Sequence, residues 1–221
     1  PEDLELFVER GFVRREKAGL VAGSGIDLDR FAPSSRDKPN AVPTFLLIGR
    51  FLRDKGVAEF IEAAHALGGR RPARFQLAGT IEDHPKAVSR ALIESAERSG
   101  AVELLGTTSD IRTFIEHADC VVLPSYREGL PRVLLEASAM ARPVVATDVP
   151  GCRQAVEHGV TGLLCAPRSS ASLAEAISAI AEMSPAERAK MGQRGRAKAK
   201  REFSEERVVA AYLGALREVA G

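Results

Sequence analysis

Tryptophan is absent from this chain, tyrosine occurs twice, and aromatic residues together make up 5% of it. A surface that stacks the bases of single strands needs several such rings, so that class of function is disfavoured. Charge of one sign is lacking too: 31 lysines and arginines face 30 aspartates and glutamates, for a formal net charge of +1. No strong field draws the whole chain to a polyanion, and nucleic acid is not an expected partner. No apolar run approaches the roughly 20 residues that span a bilayer, and no signal-peptide pattern is visible, so a cytoplasmic location is expected. Cys120, Cys152 and Cys165 stand isolated in apolar or turn contexts without metal-ligand spacing, and read as reduced, buried thiols. His65, His84, His117 and His158 are scattered singly and form no zinc pattern, although His84 follows Gly79 in a loop that ligand could approach. Neither a metal nor a resident cofactor is expected.

What is present is an alternation. Apolar runs at Thr44 to Ile48, Arg74 to Ala78, Val102 to Leu105, Cys120 to Leu123, Pro143 to Ala146 and Gly162 to Cys165 read as strands. Helical patterns separate them at Val57 to Leu67, Pro85 to Arg98, Ile111 to His117, Pro131 to Ala139 and Cys152 to Glu157. Strands of this kind, buried on both faces, predict an α/β domain: a parallel sheet with helices on both sides. The tail changes character, with helices expected at Ser172 to Glu182, Pro185 to Phe203 and Glu205 to Val219, and with N-cap residues at Ser184 and Ser204.

The run Glu128-Gly-Leu-Pro-Arg-Val-Leu-Leu-Glu136 sits where the strand ending at Leu123 hands over to a helix. Ligands of open α/β sheets bind at such carboxyl ends. Gly129 and Pro131 predict a helix N-terminus there whose free N–H groups suit an anionic oxygen, and Pro131 is expected in its first turn. On that assumption Glu136 lies roughly 9 Å along the helix from Leu130, about the length of a ribose plus diphosphate. A carboxylate at each end would hold two hydroxylated rings. A second loop, Gly49-Arg50-Phe-Leu-Arg53-Asp-Lys55-Gly56, brings cations to the same edge, where they would stabilise a departing diphosphate. Gly79 and Gly106 close strands at that edge and let backbone approach a ligand, whereas Gly151 and Gly159 read as turn residues.

Phe45 to Phe203 resembles the C-terminal, donor-binding half of a GT-B glycosyltransferase of the large retaining family known as group 1 or family 4. Leu123-Pro-Ser-Tyr-Arg-Glu-Gly-Leu-Pro-Arg-Val-Leu-Leu-Glu-Ala137, Arg142-Pro-Val-Val-Ala-Thr-Asp-Val-Pro-Gly151 and Glu157-His-Gly-Val-Thr-Gly-Leu-Leu164 carry the likeness. Among such enzymes it is most similar to bacterial O-antigen and capsule sugar transferases. The resemblance implies a Rossmann-like sheet and a nucleoside-diphosphate sugar, a UDP-sugar above all, transferred without metal to a lipid-linked or polysaccharide hydroxyl. It implies that Glu128 contacts the donor sugar as the candidate catalytic residue, with the Gly129 and Leu130 N–H groups beside it, and that Glu136 holds the ribose. It places the diphosphate on Arg50 and Lys55, and the base beside the loop from Gly106 and Thr107 to Asp110. Epimerisation of a UDP-sugar on the same fold, or binding without turnover, are the alternatives.

The resemblance also orders the chain: 1–43 as the end of an N-terminal half and interdomain segment, 44–183 as the nucleotide-sugar domain, and 184–221 as C-terminal helices. The tract Ser34 to Pro43 would be a surface connection, and the acceptor-binding half is expected to be missing. Asp27-Leu-Asp29 has a metal-binding form but falls in the interdomain segment, where Asp29 is expected to help start a short helix. The glycines from Gly23 lack the third position of a dinucleotide fingerprint. Cations from Arg188 to Arg201 allow a peripheral contact with the inner face of the cytoplasmic membrane.

Overall fold

A computed structural model describes residues 2–21, 23–34, 40–68 and 73–220. Residues 35–39 of the expected surface connection, and Ala22 of the interdomain segment, lie outside the described residues. Six strands form one parallel sheet: β1 (Thr44–Ile48), β2 (Arg74–Ala78), β3 (Glu103–Gly106), β4 (Cys120–Leu123), β5 (Val144–Thr147) and β6 (Gly162–Cys165). Their order across the sheet is β3-β2-β1-β4-β5-β6. The chain therefore winds outward in one direction from β1 and then in the other from β4, which leaves a crevice between the carboxyl ends of those two strands.

Alternation along β1 shows why the sheet is covered twice. Phe45 and Leu47 enter one core with α2 (Val57–Leu67), α3 (Arg90–Arg98) and α7 (Ser170–Glu182). Leu46 and Ile48 face the other, shared with α4 (Arg112–His117), α5 (Arg132–Ala139) and α6 (Pro150–Ala155). Successive side chains of a strand point to opposite faces, so a fully apolar run needs a helical layer on each. The chain opens with α1 (Glu2–Glu9), and α8 (Pro185–Glu202) packs across α5 before α9 (Glu205–Ala220). Ser184 closes a full capping box with Glu187 at the start of α8.

Several boundaries move from those expected. Helix α3 starts at Arg90, not Pro85, because residues 84–88 run back along the β1–α2 loop: Arg53 N–H donates to Lys86 O and Val88 N–H to Phe51 O, both at 2.8 Å. Ser89 then caps the helix through Leu92 N–H. Helix α6 begins at Pro150 and ends at Ala155, ahead of its expected span. No helix follows Asp29; instead Asp27 Oδ1 accepts from the N–H groups of Asp29 and Arg30, at 3.0 and 2.8 Å, and folds that segment into a turn.

Candidate functional site at the carboxyl edge of the sheet

Three close backbone contacts join the connections at this edge. Gly56 turns the chain into α2 with φ 71°, and a Cβ there would stand 2.1 Å from the Pro124 carbonyl oxygen. A Cβ on Gly79 would meet Gly49 O at 1.9 Å, and one on Gly151 would meet Gly129 O at 1.6 Å. Each glycine is thus required by the approach of a neighbouring loop. Gly151, read from sequence as a turn residue, lies inside α6, where it admits the Glu128-Gly129 backbone.

Within this frame Lys55 Nζ lies 2.6 Å from Glu128 Oε1. The lysine ends a short 3-10 turn (Arg53–Lys55) after β1, and the glutamate stands in the loop after β4, so the two strands that flank the crevice bring them together. Their side chains are 29% and 13% exposed, which makes the pair sheltered but open to ligand. The sequence assigned the lysine to a phosphate and the glutamate to a sugar; the structure pairs each with the other.

Glu136 is 8% exposed, and burial pushes its carboxyl above the usual carboxylate range against the pull of Arg132. Arg132 Nε sits 3.6 Å from it, and Arg132 Nη1 donates to Ser24 Oγ at 3.1 Å. Pro131 is the N-cap residue and α5 starts at Arg132, a correction to the first-turn placement of Pro131. Glu136 is therefore one turn into the helix, about 6 Å from its start rather than 9 Å along it from Leu130. The Pro131 ring carries no acceptor, so the N-cap residue of α5 makes no side-chain cap hydrogen bond. Leu130 packs toward the segment that precedes β1: a Cβ on Gly23 would lie 3.1 Å from Leu130 Cδ2.

A pocket of about 270 Å³ opens between the carboxyl ends of β1, β2 and β3. Arg50, Gly79, Gly106 and Thr107 line its rim, with Ile111 and Phe114 on its apolar wall. Arg50 is largely exposed and 3.5 Å from Glu82, so its guanidinium is free to swing toward a ligand. Gly106 takes φ 70° with open space around it. The candidate residues thus fall into two groups, this pocket and the Lys55–Glu128 pair, with Glu136 apart from both in α5. His84 does not line the pocket; its Nδ1 accepts from Lys86 N–H at 3.0 Å.

One contact of the site is not legible in the sequence. Tyr126 donates its phenol O–H to Glu59, and the Arg168 guanidinium lies 4.8 Å from its ring centroid. Cys152, behind the Glu128 loop, is pushed up to about 12 by burial first and the Glu128 charge second. All three cysteines are free and buried. Among the described residues no group of three or more His, Cys, Asp or Glu side chains is placed to hold a metal ion, and no helix is long and apolar enough to cross a membrane.

The model of the glycosyl transferases group 1 family matches residues 29–198 of this chain. The chain belongs to that family. It is 34% identical over 181 residues to the Campylobacter jejuni N,N'-diacetylbacillosaminyl-diphospho-undecaprenol alpha-1,3-N-acetylgalactosaminyltransferase, covering 77% of this chain and 46% of that protein. It is 29% identical to the putative colanic acid biosynthesis glycosyltransferase WcaL of Escherichia coli, covering 91% of this chain and 52% of the relative. The chain spans about half the length of the curated relatives it matches. Sucrose-phosphate synthase from Thermosynechococcus elongatus superposes with a TM-score of 0.82 at 26% identity, over 97% of this chain and 56% of that one. The Anabaena HepE structure in complex with UDP has a TM-score of 0.83 at 23% identity, over 97% of this chain and 61% of its own. The Rossmann-like sheet is that of the C-terminal half of GT-B enzymes, as the motifs implied.

Proposed function

We propose that this chain is the donor-binding half of a retaining glycosyltransferase that moves a sugar from a nucleoside diphosphate, UDP by preference, to a hydroxyl of a lipid-linked or polysaccharide acceptor. The observation that carries the reading is the Lys55–Glu128 pair in the crevice between β1 and β4, with an apolar pocket at the same carboxyl edge of the sheet and the buried Glu136 on the helix that follows Glu128. A uracil ring fits the pocket beside Gly106 and Thr107, Glu136 accepts from the ribose hydroxyls, and Arg50 and Lys55 meet the diphosphate. Glu128, with the Gly129 and Leu130 N–H groups, takes the sugar.

In the free chain Glu128 serves as the counterion of Lys55. An arriving diphosphate offers the lysine more charge, and the ammonium turns to it while Glu128 is released to accept from sugar hydroxyls. When the glycosidic bond breaks, the electron pair goes to the terminal phosphate oxygen, whose growing charge these fixed cations stabilise. That role needs no metal ion. Solved structures with this fold hold UDP and UDP-glucose, and two relatives are a diphospho-undecaprenol N-acetylgalactosaminyltransferase and a putative colanic acid biosynthesis glycosyltransferase, which supports the donor and acceptor classes. The acceptor-binding half belongs to a further domain, and the enzyme works on the cytoplasmic side, at the membrane surface when its acceptor is lipid-linked.

Calorimetry of this chain with UDP in EDTA, with uridine as control, tests the reading. UDP should bind under chelation, and Lys55→Ala should weaken it by about 1.5–3 kcal/mol, the range for a hydrogen bond to a charged group, with little effect on uridine. Binding that requires a divalent cation, or no binding of UDP, would overturn it.

A further inference from the structure

The two loops that carry Lys55 and Glu128 are fastened together by one tyrosine. Tyr126 stands two residues before Glu128, and its N–H donates to the carbonyl of Asp54 at 2.9 Å, immediately before Lys55. Its phenol donates to Glu59 Oε1 in the first turn of α2. Over its ring lies Arg168, whose backbone takes φ 58°, a left-handed conformation that disfavours any residue with a Cβ. That conformation sets Arg168 in the loop between β6 and α7, so the ring is gripped from two separate parts of the chain.

The grip is one-sided in chemistry. Glu59 Oε2 is buried and has no hydrogen-bond partner, so the phenol is what satisfies this carboxylate. Burial first and Glu59 second push the Tyr126 hydroxyl up to about 12, and it remains a donor across the physiological range. Removing that hydroxyl would leave both Glu59 oxygens without it, and the carboxylate would turn toward water, drawing the loop away from α2.

We propose that Tyr126 is the positioning residue for Glu128: held between Glu59 and Arg168, it sets the sugar-facing carboxylate where Lys55 and the donor sugar can share it. This rests on the donor-site reading above. The alternative is packing alone, in which the half-buried ring holds the loop and the hydroxyl is incidental. The two differ at Tyr126→Phe, which keeps the ring and its Arg168 contact and removes only the donor.

Calorimetry of this chain with UDP and with UDP-glucose, alongside melting temperatures, separates them. Tyr126→Phe and Glu59→Leu should each weaken UDP-glucose about five- to twentyfold while changing UDP by less than about twofold, because the loss falls at the sugar end. Glu59→Gln keeps an acceptor for the phenol and should recover most of the UDP-glucose affinity, which a general loss of packing would not predict. Arg168→Ala should act in the same direction. Wild-type binding of both ligands with an unchanged UDP-glucose to UDP ratio in Tyr126→Phe would overturn the positioning role, as would equal losses for the two ligands. A wild-type chain that binds neither ligand would overturn the donor-site reading itself, and the positioning role with it.

Discussion

Glu128 is the residue at which the free and ligand-bound states compete. Because its carboxylate already engages Lys55 at 2.6 Å, Glu128→Gln should leave the lysine freer for a diphosphate. UDP should then bind more tightly, by about 1 kcal/mol for a half-sheltered pair, while UDP-glucose loses its sugar contact. Paired titrations of the two ligands check this, and a fall in UDP affinity would mean that Glu128 supports the phosphate end. Glu136 gives a second test, through pH. Its carboxyl is raised by burial, so between the ordinary glutamate range and the folded value the native state binds the extra proton and stability falls as pH rises. Glu136→Gln should therefore melt higher than wild type at pH 7 and no higher near pH 3.5, while losing affinity for UDP. A stabilised variant that binds worse is the expected signature of a buried carboxylate kept for its ligand.

At the scale of elements, α8 is held against the body of the domain by the absence of side chains. A Cβ on Gly192 would lie 1.9 Å from the carbonyl oxygen of Ala141, itself in a left-handed turn at φ 54°. Helix propensity alone favours Gly192→Ala by about 1 kcal/mol. The clash with backbone dominates, and the variant should lose at least about 2 kcal/mol in urea denaturation. Elements of this domain were largely legible: the apolar runs at β1, β2, β4 and β6 and the pattern of α2 coincide with the observed spans. What misled was Pro85, a plausible helix start whose segment is instead recruited by Phe51 and Arg53, more than thirty residues away. The site divides in the same way. Glu128, Glu136 and the Arg50–Lys55 loop announce themselves by local spacing, whereas the Lys55–Glu128 pair joins residues 73 apart and Tyr126–Glu59 residues 67 apart. Periodicity carries no information on such long-range partners.

For the molecule as a whole, the three thiols report on global opening. Cys120 lies in the central strand β4, Cys152 in α6 and Cys165 in the edge strand β6, and burial is the leading cause that raises each. A neutral, enclosed thiol is inert to disulfide reagents. The native chain should thus react slowly at pH 8, with Cys120 modified at the rate of global unfolding. UDP should slow that reaction by the factor that its binding stabilises the native state. Rapid modification of Cys120 without unfolding would show that the sheet opens locally.

The glycines at the rim carry a consequence for how such a domain diversifies. Surface loops ordinarily accept insertions with little penalty. Here Gly56, Gly79 and the helical Gly151 lean on Pro124, Gly49 and Gly129, like stones of an arch in which none can be lengthened without displacing the next. Variation in ligand preference is thereby channelled away from those positions, toward exchanges of single side chains around the pocket. An insertion scan scored for stability should read as a map of that arch, most disruptive at the three joints.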